Sequence, residues 1–328
     1  MHFVIVGCGA VGGYFGGRLA QHGEKVTFIA RGKQLQAMQK TGLTIKSIEG
    51  DVHLDNLNVV NAENLTLNSL SSPADVIFLC VKSYHLAESL AQITPLITEN
   101  TKIIPLLNGV NAAEIMHEYG VAKENIIGGL AKIIAEKSAE GVINHTGAKP
   151  HITLGSFSAS TSKRADEKTQ PQKATLVMDE TAQLSEIAKR LTLAGISVGV
   201  TSDIELALWR KFILVAAWGT LASARKLNLG EIRAQSHIAF LLERIVNEYG
   251  DIARKSGVGL GDKHIKETLS FLSRLPDSSE TSMQRDLAAG SNSEFDVLIA
   301  YPVKLVEKLN LSAPVLMQCY ERITKSLP

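Results

Sequence analysis

The stretch His2-Phe3-Val4-Ile5-Val6-Gly7-Cys8-Gly9-Ala10-Val11-Gly12 decides the fold of this chain. Phe3–Val6 is a short apolar run of the kind that forms a buried strand. Gly7–Gly12 then fits G-x-G-x-x-G, and Val11–His22 has the length of a helix. Such a turn between a strand and a helix suits the phosphates of a dinucleotide. Gly7 permits the tight turn, Gly9 lets the backbone approach a pyrophosphate, and Gly12 allows close helix–strand packing. Ala10 and Val11 lie where the unpaired N–H groups of the helix start face an anion. The context weighs against glycines that serve only a tight turn. Gly13, Gly16 and Gly17 continue a small face of the helix and read as packing positions.

Outward from this turn, β-rich runs alternate with helical stretches. Phe3–Val6, Lys25–Ile29, Val76–Val81, Lys102–Leu107 and Asn125–Gly128 read as parallel strands. Helix-length segments lie between several of them, such as Lys33–Thr41, Tyr84–Ile97 and Ala112–Tyr119. Repeated β-α-β order implies a mostly parallel, doubly wound sheet, the Rossmann arrangement. Gly141–His145 and Pro150–Gly155 read as a strand pair appended at an edge. Ser156–Thr175 is polar and reads as a solvated, mobile excursion. A helix over Asp179–Ala194 and a strand over Ile196–Val200 complete the first domain. Residues 1–200 are thus expected to form an α/β Rossmann domain. Residues 201–328 are expected to form an all-α domain, with helices up to Ala224 and over Ser236–Ser256, Glu294–Leu309 and Val315–Leu327.

A chain of 328 residues has room for two cores. Its formal net charge of +1 gives no electrostatic grip on nucleic acid or an anionic membrane, so any anion site must be local. The longest nearly apolar run, Phe212–Ala224, is too short to span a bilayer. Cys8, Cys80 and Cys319 have no metal-ligand spacing, and no metal site is expected. No charged leader precedes the first strand, so the cytoplasm is the expected compartment.

Cofactor choice is read at the end of the second strand, where an Asp or Glu would bind the ribose of NAD. Here the sequence is Phe28-Ile29-Ala30-Arg31-Gly32-Lys33. Arg31 offers a fork and Lys33 a point charge to a 2′-phosphate, which favours NADP(H). Lys82 and Asn108 follow two further strands at the carboxyl edge, where ligands of such sheets bind. Lys211, in Glu205-Leu206-Ala207-Leu208-Trp209-Arg210-Lys211, precedes the apolar Phe212–Ala217 run. Burial of its stem there would lower its pKa toward the range of a general acid, although on this segment alone a snorkelling surface lysine is the better reading. Glu294 opens a helix, where compensation of the helix dipole is the plain alternative to catalysis. His85 and His145 read as structural.

Together these residues resemble the 2-dehydropantoate 2-reductase (ketopantoate reductase) family. The resemblance rests on Gly7-Cys8-Gly9-Ala10-Val11-Gly12, Arg31, Val81-Lys82, Asn108-Gly109, Gly141-Val142-Ile143-x-His145, Leu208-Trp209-x-Lys211, Ser282-Met283-x-x-Asp286 and Glu294. It implies NADPH-dependent reduction of 2-dehydropantoate to pantoate, a step of pantothenate biosynthesis. It implies further that Lys211 protonates the ketone oxygen, that Glu294 orients Lys211 or the hydroxyl, and that Ser282 contacts the substrate carboxylate. Lys82 and Asn108 would line the nicotinamide and ribose region. A homodimer is implied as well.

The chain also departs from that pattern. Asn residues expected four and eight positions after the lysine are Val215 and Gly219, a third is Leu229 beside Asn228, and the expected Gln is His85. Val215 and Gly219 make the substrate wall more apolar or more open, so a different, more apolar 2-oxo acid is the alternative substrate. The β-hydroxyacid dehydrogenase class pairs its lysine with an Asn four residues on, and Val215 fails that test. A dinucleotide sensor without catalysis would need neither Lys211 nor Glu294.

Overall fold

β1 (His2–Val6) is buried along its whole length, in keeping with its apolar sequence, because it lies inside a five-stranded sheet. Its neighbours are β2 (Lys25–Ala30) and β6 (Val76–Leu79), with β5 (Asn58–Asn61) and β7 (Lys102–Pro105) outside them. The order β5-β2-β1-β6-β7 is parallel throughout. Val6 stands level with Ile29 and Leu79, so Gly7, Arg31 and Lys82 leave the same carboxyl edge. α1 (Ala10–Gln21), α2 (Gly32–Thr41), α3 (Leu86–Ile93) and α4 (Ala112–Glu118) supply the helical layers.

The structure, a computed structural model, describes residues 1–63, 65–157 and 171–326. The chain divides into two units, Met1–Leu107 with Ala112–Ile204, and Asn108–Asn111 with Glu205–Pro328.

Two smaller sheets complete the first unit, and they alter the expected strand pairing. β3 (Leu43–Ser47) and β4 (Val52–Leu54) join β9 (Ala135–Ala139) and β10 (Val142–His145) in the order β4-β3-β10-β9. β8 (Ile127–Lys132), β11 (His151–Ser156) and β12 (Ser197–Val200) form the third sheet. The segment expected as a fifth parallel strand, Asn125–Gly128, touches the central sheet through one bridge, Ile126 to Ile103. The chain then continues as β8, antiparallel to β11. Gly141–His145 and Pro150–Gly155 do not pair with each other, since β10 pairs with β3 and β9 while β11 pairs with β8 and β12. Alternating apolar residues specify a half-buried strand but not its neighbour.

α5 (Pro171–Leu193) begins eight residues before the expected start. Pro171 suits a first helical position, where its missing N–H is not needed. The polar reading of Ser156–Thr175 therefore fails from Pro171 onward, and residues 158–170 lie outside the described residues.

The second unit is helical. α6 (Ile204–Arg225) is followed by α7 (Leu229–Ala234), α8 (Ser236–Lys255), α9 (Asp262–Leu272), α10 (Ser282–Ala288), α11 (Tyr301–Lys308) and α12 (Pro314–Thr324). Phe212, Ala216 and Leu221 of α6 share a core with Ile245, Tyr249 and Ile252 of α8. Asn228 and Glu231 close a reciprocal capping box that starts α7. Leu229 is fully buried in the core. The expected single helix Glu294–Leu309 is instead a π-helical turn over Asp296–Ala300 that leads into α11. Pro302 follows it in the first turn of α11 and has no N–H to return to the carbonyl of Leu298, four residues back.

Candidate active site

Gly7 has φ +92°, the left-handed region, and an added Cβ would lie 2.8–2.9 Å from Val81 and Cys80. At Gly12 the added atom would stand 2.1 Å from the carbonyl oxygen of Gly7. Both glycines are therefore demanded by the turn itself. Gly9 is different. Its φ of −78° is open to any residue, and an added Cβ would meet nothing within 4 Å. Neither backbone nor packing explains a glycine there, whereas the approach of an outside group does. Gly9 is also the N-cap of α1 and offers no side chain to the first N–H groups, which have no partner within a helix. These residues fit a dinucleotide pyrophosphate.

A residue missed in the sequence steadies this turn. Gln34 donates its side-chain amide to the carbonyl of Cys8 at 2.7 Å and accepts from the N–H of Gly141 at 2.9 Å. The small face of α1 packs as expected, with Gly13 against Ile143, Gly16 against Phe28 and Gly17 against Ile45.

At the end of β2, Arg31 is the N-cap of α2. Its guanidinium donates Nη1 to Glu88 Oε1 at 2.8 Å, and Nη2 lies 3.0 Å from His85 Nε2. His85 Nδ1 lies 3.2 Å from Glu88 Oε2. The hydrogen bond and charge of Arg31 hold the Glu88 carboxyl below its ordinary pKa. Arg31 and Glu88 are both about half exposed, with side chains at 48%. Lys82 and Lys33 are exposed at the same edge.

In the second unit, Lys211 is half-buried on α6, between Arg210, which pairs with Glu267 at 2.7 Å, and buried Phe212. Val215 is half-buried one turn further on. Gly219 does not open the wall as expected. It is buried, and an added Cβ would lie 3.2–3.3 Å from Thr281 and Met283. Thr281 caps α10 by accepting from the N–H of Gln284, and Ser282 is the first residue of that helix.

Glu294 has 3% of its surface exposed and accepts from the Asn108 side-chain amide at 2.9 Å. Two sequence-predicted residues thus meet directly. Compensation of a helix dipole requires neither the burial nor the partner. Gly109, at φ +108°, seats this loop against the π-helical turn, for an added Cβ would lie 2.4 Å from Val297.

His145 is buried, with Nδ1 2.8 Å from Ser47 Oγ and Nε2 3.1 Å from the carbonyl of Ala148, so both ring nitrogens serve the fold. Burial raises the Cys8 and Cys80 thiols well above their ordinary range and pushes Cys319 up to about 11. None of the three is a reactive thiolate. Among the described residues, no group of three or more His, Cys, Asp and Glu could hold a metal ion, and no helix is long and apolar enough to cross a membrane.

Known protein families match this chain in both of its units. Residues 3–159 match the family Ketopantoate reductase PanE/ApbA, and residues 203–326 match its C-terminal domain. The uncharacterized oxidoreductase YkpB of Bacillus subtilis (strain 168) is 27% identical, with 98% of each chain covered. The crystal structure of 2-dehydropantoate 2-reductase from Geobacter metallireducens GS-15 is 24% identical, with a TM-score of 0.83 over 99% of this chain and 100% of that one. A ternary structure of D-mandelate dehydrogenase with NADH and anilino(oxo)acetate is 21% identical, with a TM-score of 0.82 over 99% and 97% of the two chains. With both of its domains matched in order, this chain belongs to the ketopantoate reductase family of oxidoreductases.

Proposed function

We propose that this chain reduces a 2-oxo acid to the 2-hydroxy acid with NADPH, and that 2-dehydropantoate is its first candidate substrate. The observation that carries the reading is the burial of Glu294 on Asn108, because a carboxylate kept from water on a neutral amide is arranged for more than a helix end. NADPH, when bound at the Gly7–Gly12 turn, supplies the hydride. The N–H groups that start α1 hold its pyrophosphate, and Arg31 meets the 2′-phosphate.

As hydride reaches the ketone carbon, negative charge builds on the oxygen. The Lys211 ammonium stabilises that charge and gives the oxygen a proton. Glu294, held by Asn108, orients the lysine or the new hydroxyl, and Ser282 contacts the substrate carboxylate. Val215 puts an aliphatic side chain where a hydrogen-bonding one would read a polar substrate. For that reason a more apolar 2-oxo acid is the second candidate. D-mandelate dehydrogenase, a structural neighbour, is named for a hydroxy acid that carries a ring.

The test is NADPH oxidation over a panel of 2-oxo acids that includes 2-dehydropantoate and phenyl- and alkyl-substituted members. Turnover of at least one of them by the wild-type chain is expected. No turnover of any member, with NADPH binding intact, would leave a dinucleotide-sensing protein as the better reading.

A further inference from the structure

We propose that Glu88 governs cofactor choice by competing with a ribose 2′-phosphate for Arg31. The inference rests on the reading of Arg31 given above and adds a residue that opposes it.

The geometry is a closed ring of three side chains. Arg31 spends Nη1 on Glu88 Oε1 and Nη2 on His85 Nε2. A guanidinium has donors only, so Nε2 of His85 accepts. The ring proton is then on Nδ1, which donates to Glu88 Oε2 at 3.2 Å. Both terminal amino groups of Arg31 are therefore engaged by α3 and the turn before it.

Those bonds use one N–H of each amino group out of the five a guanidinium carries, so a 2′-phosphate recognised by Arg31 shares its charge and its orientation with Glu88. It would also bring negative charge beside the Glu88 carboxylate. Two anions on one guanidinium divide its charge and repel each other, so the phosphorylated cofactor binds more tightly once Glu88 gives way. NAD(H) carries no such phosphate and leaves the ring intact. Glu88 thus acts against NADP(H) alone and narrows the discrimination that Arg31 creates. Because Arg31 and Glu88 are half exposed, their pair is weak enough to be displaced.

Isothermal titration calorimetry on the full chain tests this with 2′,5′-ADP as the probe and 5′-AMP as the control. Displacing an exposed ion pair is expected to take a modest factor. Glu88→Gln and Glu88→Ala should each tighten 2′,5′-ADP by roughly two- to fivefold and leave 5′-AMP unchanged. Arg31→Ala should weaken 2′,5′-ADP by roughly tenfold or more, again without effect on 5′-AMP. If both Glu88 variants bind 2′,5′-ADP no better than wild type while Arg31→Ala loses it, Glu88 is no competitor, although Arg31 keeps its role. If Arg31→Ala binds 2′,5′-ADP as well as wild type, the reading of Arg31 falls and takes the proposal with it. Glu88 is exposed, so neither variant threatens the fold, and matched thermal unfolding curves confirm that point.

Discussion

Tyr249 donates its hydroxyl to the carbonyl of Leu298 at 2.8 Å, the carbonyl to which Pro302, four residues on, has no N–H to give. The same hydroxyl lies 2.9 Å from Thr220 Oγ1, so α6, α8 and the π-helical turn share one buried polar chain. That turn begins two residues after Glu294. Tyr249→Phe should therefore lower stability by about 1–3 kcal/mol, the usual effect of leaving a buried polar group without its partner. Urea unfolding gives the value. In a Pro302→Ala background the loss should be smaller, because an N–H is restored four residues from Leu298. Equal losses in both backgrounds would show that Pro302 is unrelated to the bond.

The phosphate turn separates two roles of glycine. Gly9→Ala should fold and melt like the wild type, since its Cβ meets no protein atom within 4 Å. Its NADPH affinity should fall by tenfold or more, on the order of the loss of one charge-assisted hydrogen bond. Gly12→Ala, with its Cβ 2.1 Å from the Gly7 oxygen, should lose thermal stability instead. A Gly9→Ala protein that binds NADPH normally would remove the pyrophosphate from this turn.

Lys211→Ala should lower kcat by ~10²–10⁴ with NADPH affinity preserved, as for loss of a general acid. Steady-state kinetics together with NADPH fluorescence titration would check both halves. Turnover within a few-fold of wild type would show that another group supplies the proton.

Val215→Asn should raise kcat/KM for 2-dehydropantoate relative to an alkyl 2-oxo acid. An apolar wall separates such substrates by only ~1–3 kcal/mol, less than a hydrogen-bonding one. Gly219 is the poorer place for the same exchange, because Thr281 and Met283 already crowd its Cβ position. A wild-type chain strongly selective for 2-dehydropantoate would defeat this prediction.

Glu248 predicts a dependence on pH. Its carboxylate is buried and accepts from the N–H groups of Val315, at 3.1 Å, and Leu316, at 2.8 Å, at the start of α12. Burial is the largest influence and raises its pKa above the ordinary 4.5, against the two N–H groups, which lower it. A carboxyl with a raised folded pKa holds its proton longer when folded. Its contribution is therefore full below 4.5 and is lost as pH rises through the folded value. The stability of the wild type relative to Glu248→Gln should decline across that window and then level off. Urea unfolding from pH 4 to 7 measures the difference, and a difference that grows with pH would contradict the assignment.

Local sequence by itself determined the first strand, the glycine turn and α1, because G-x-G-x-x-G after an apolar run satisfies a steric need that is written in adjacent residues. It also determined the absence of a carboxylate after Phe28-Ile29-Ala30 and the length of α8. Tertiary structure alone decided the neighbours of β10 and β11, since a period of two marks the face of a strand and not its partner. Only the folded chain put Glu88 and His85 on Arg31, 57 and 54 residues away in sequence, and Asn108 on Glu294, 186 residues away. Spacing carries no signal for contacts made across loops of that length. The same holds for Gly219, whose missing side chain reads as an open pocket wall until Thr281 and Met283 are found against it.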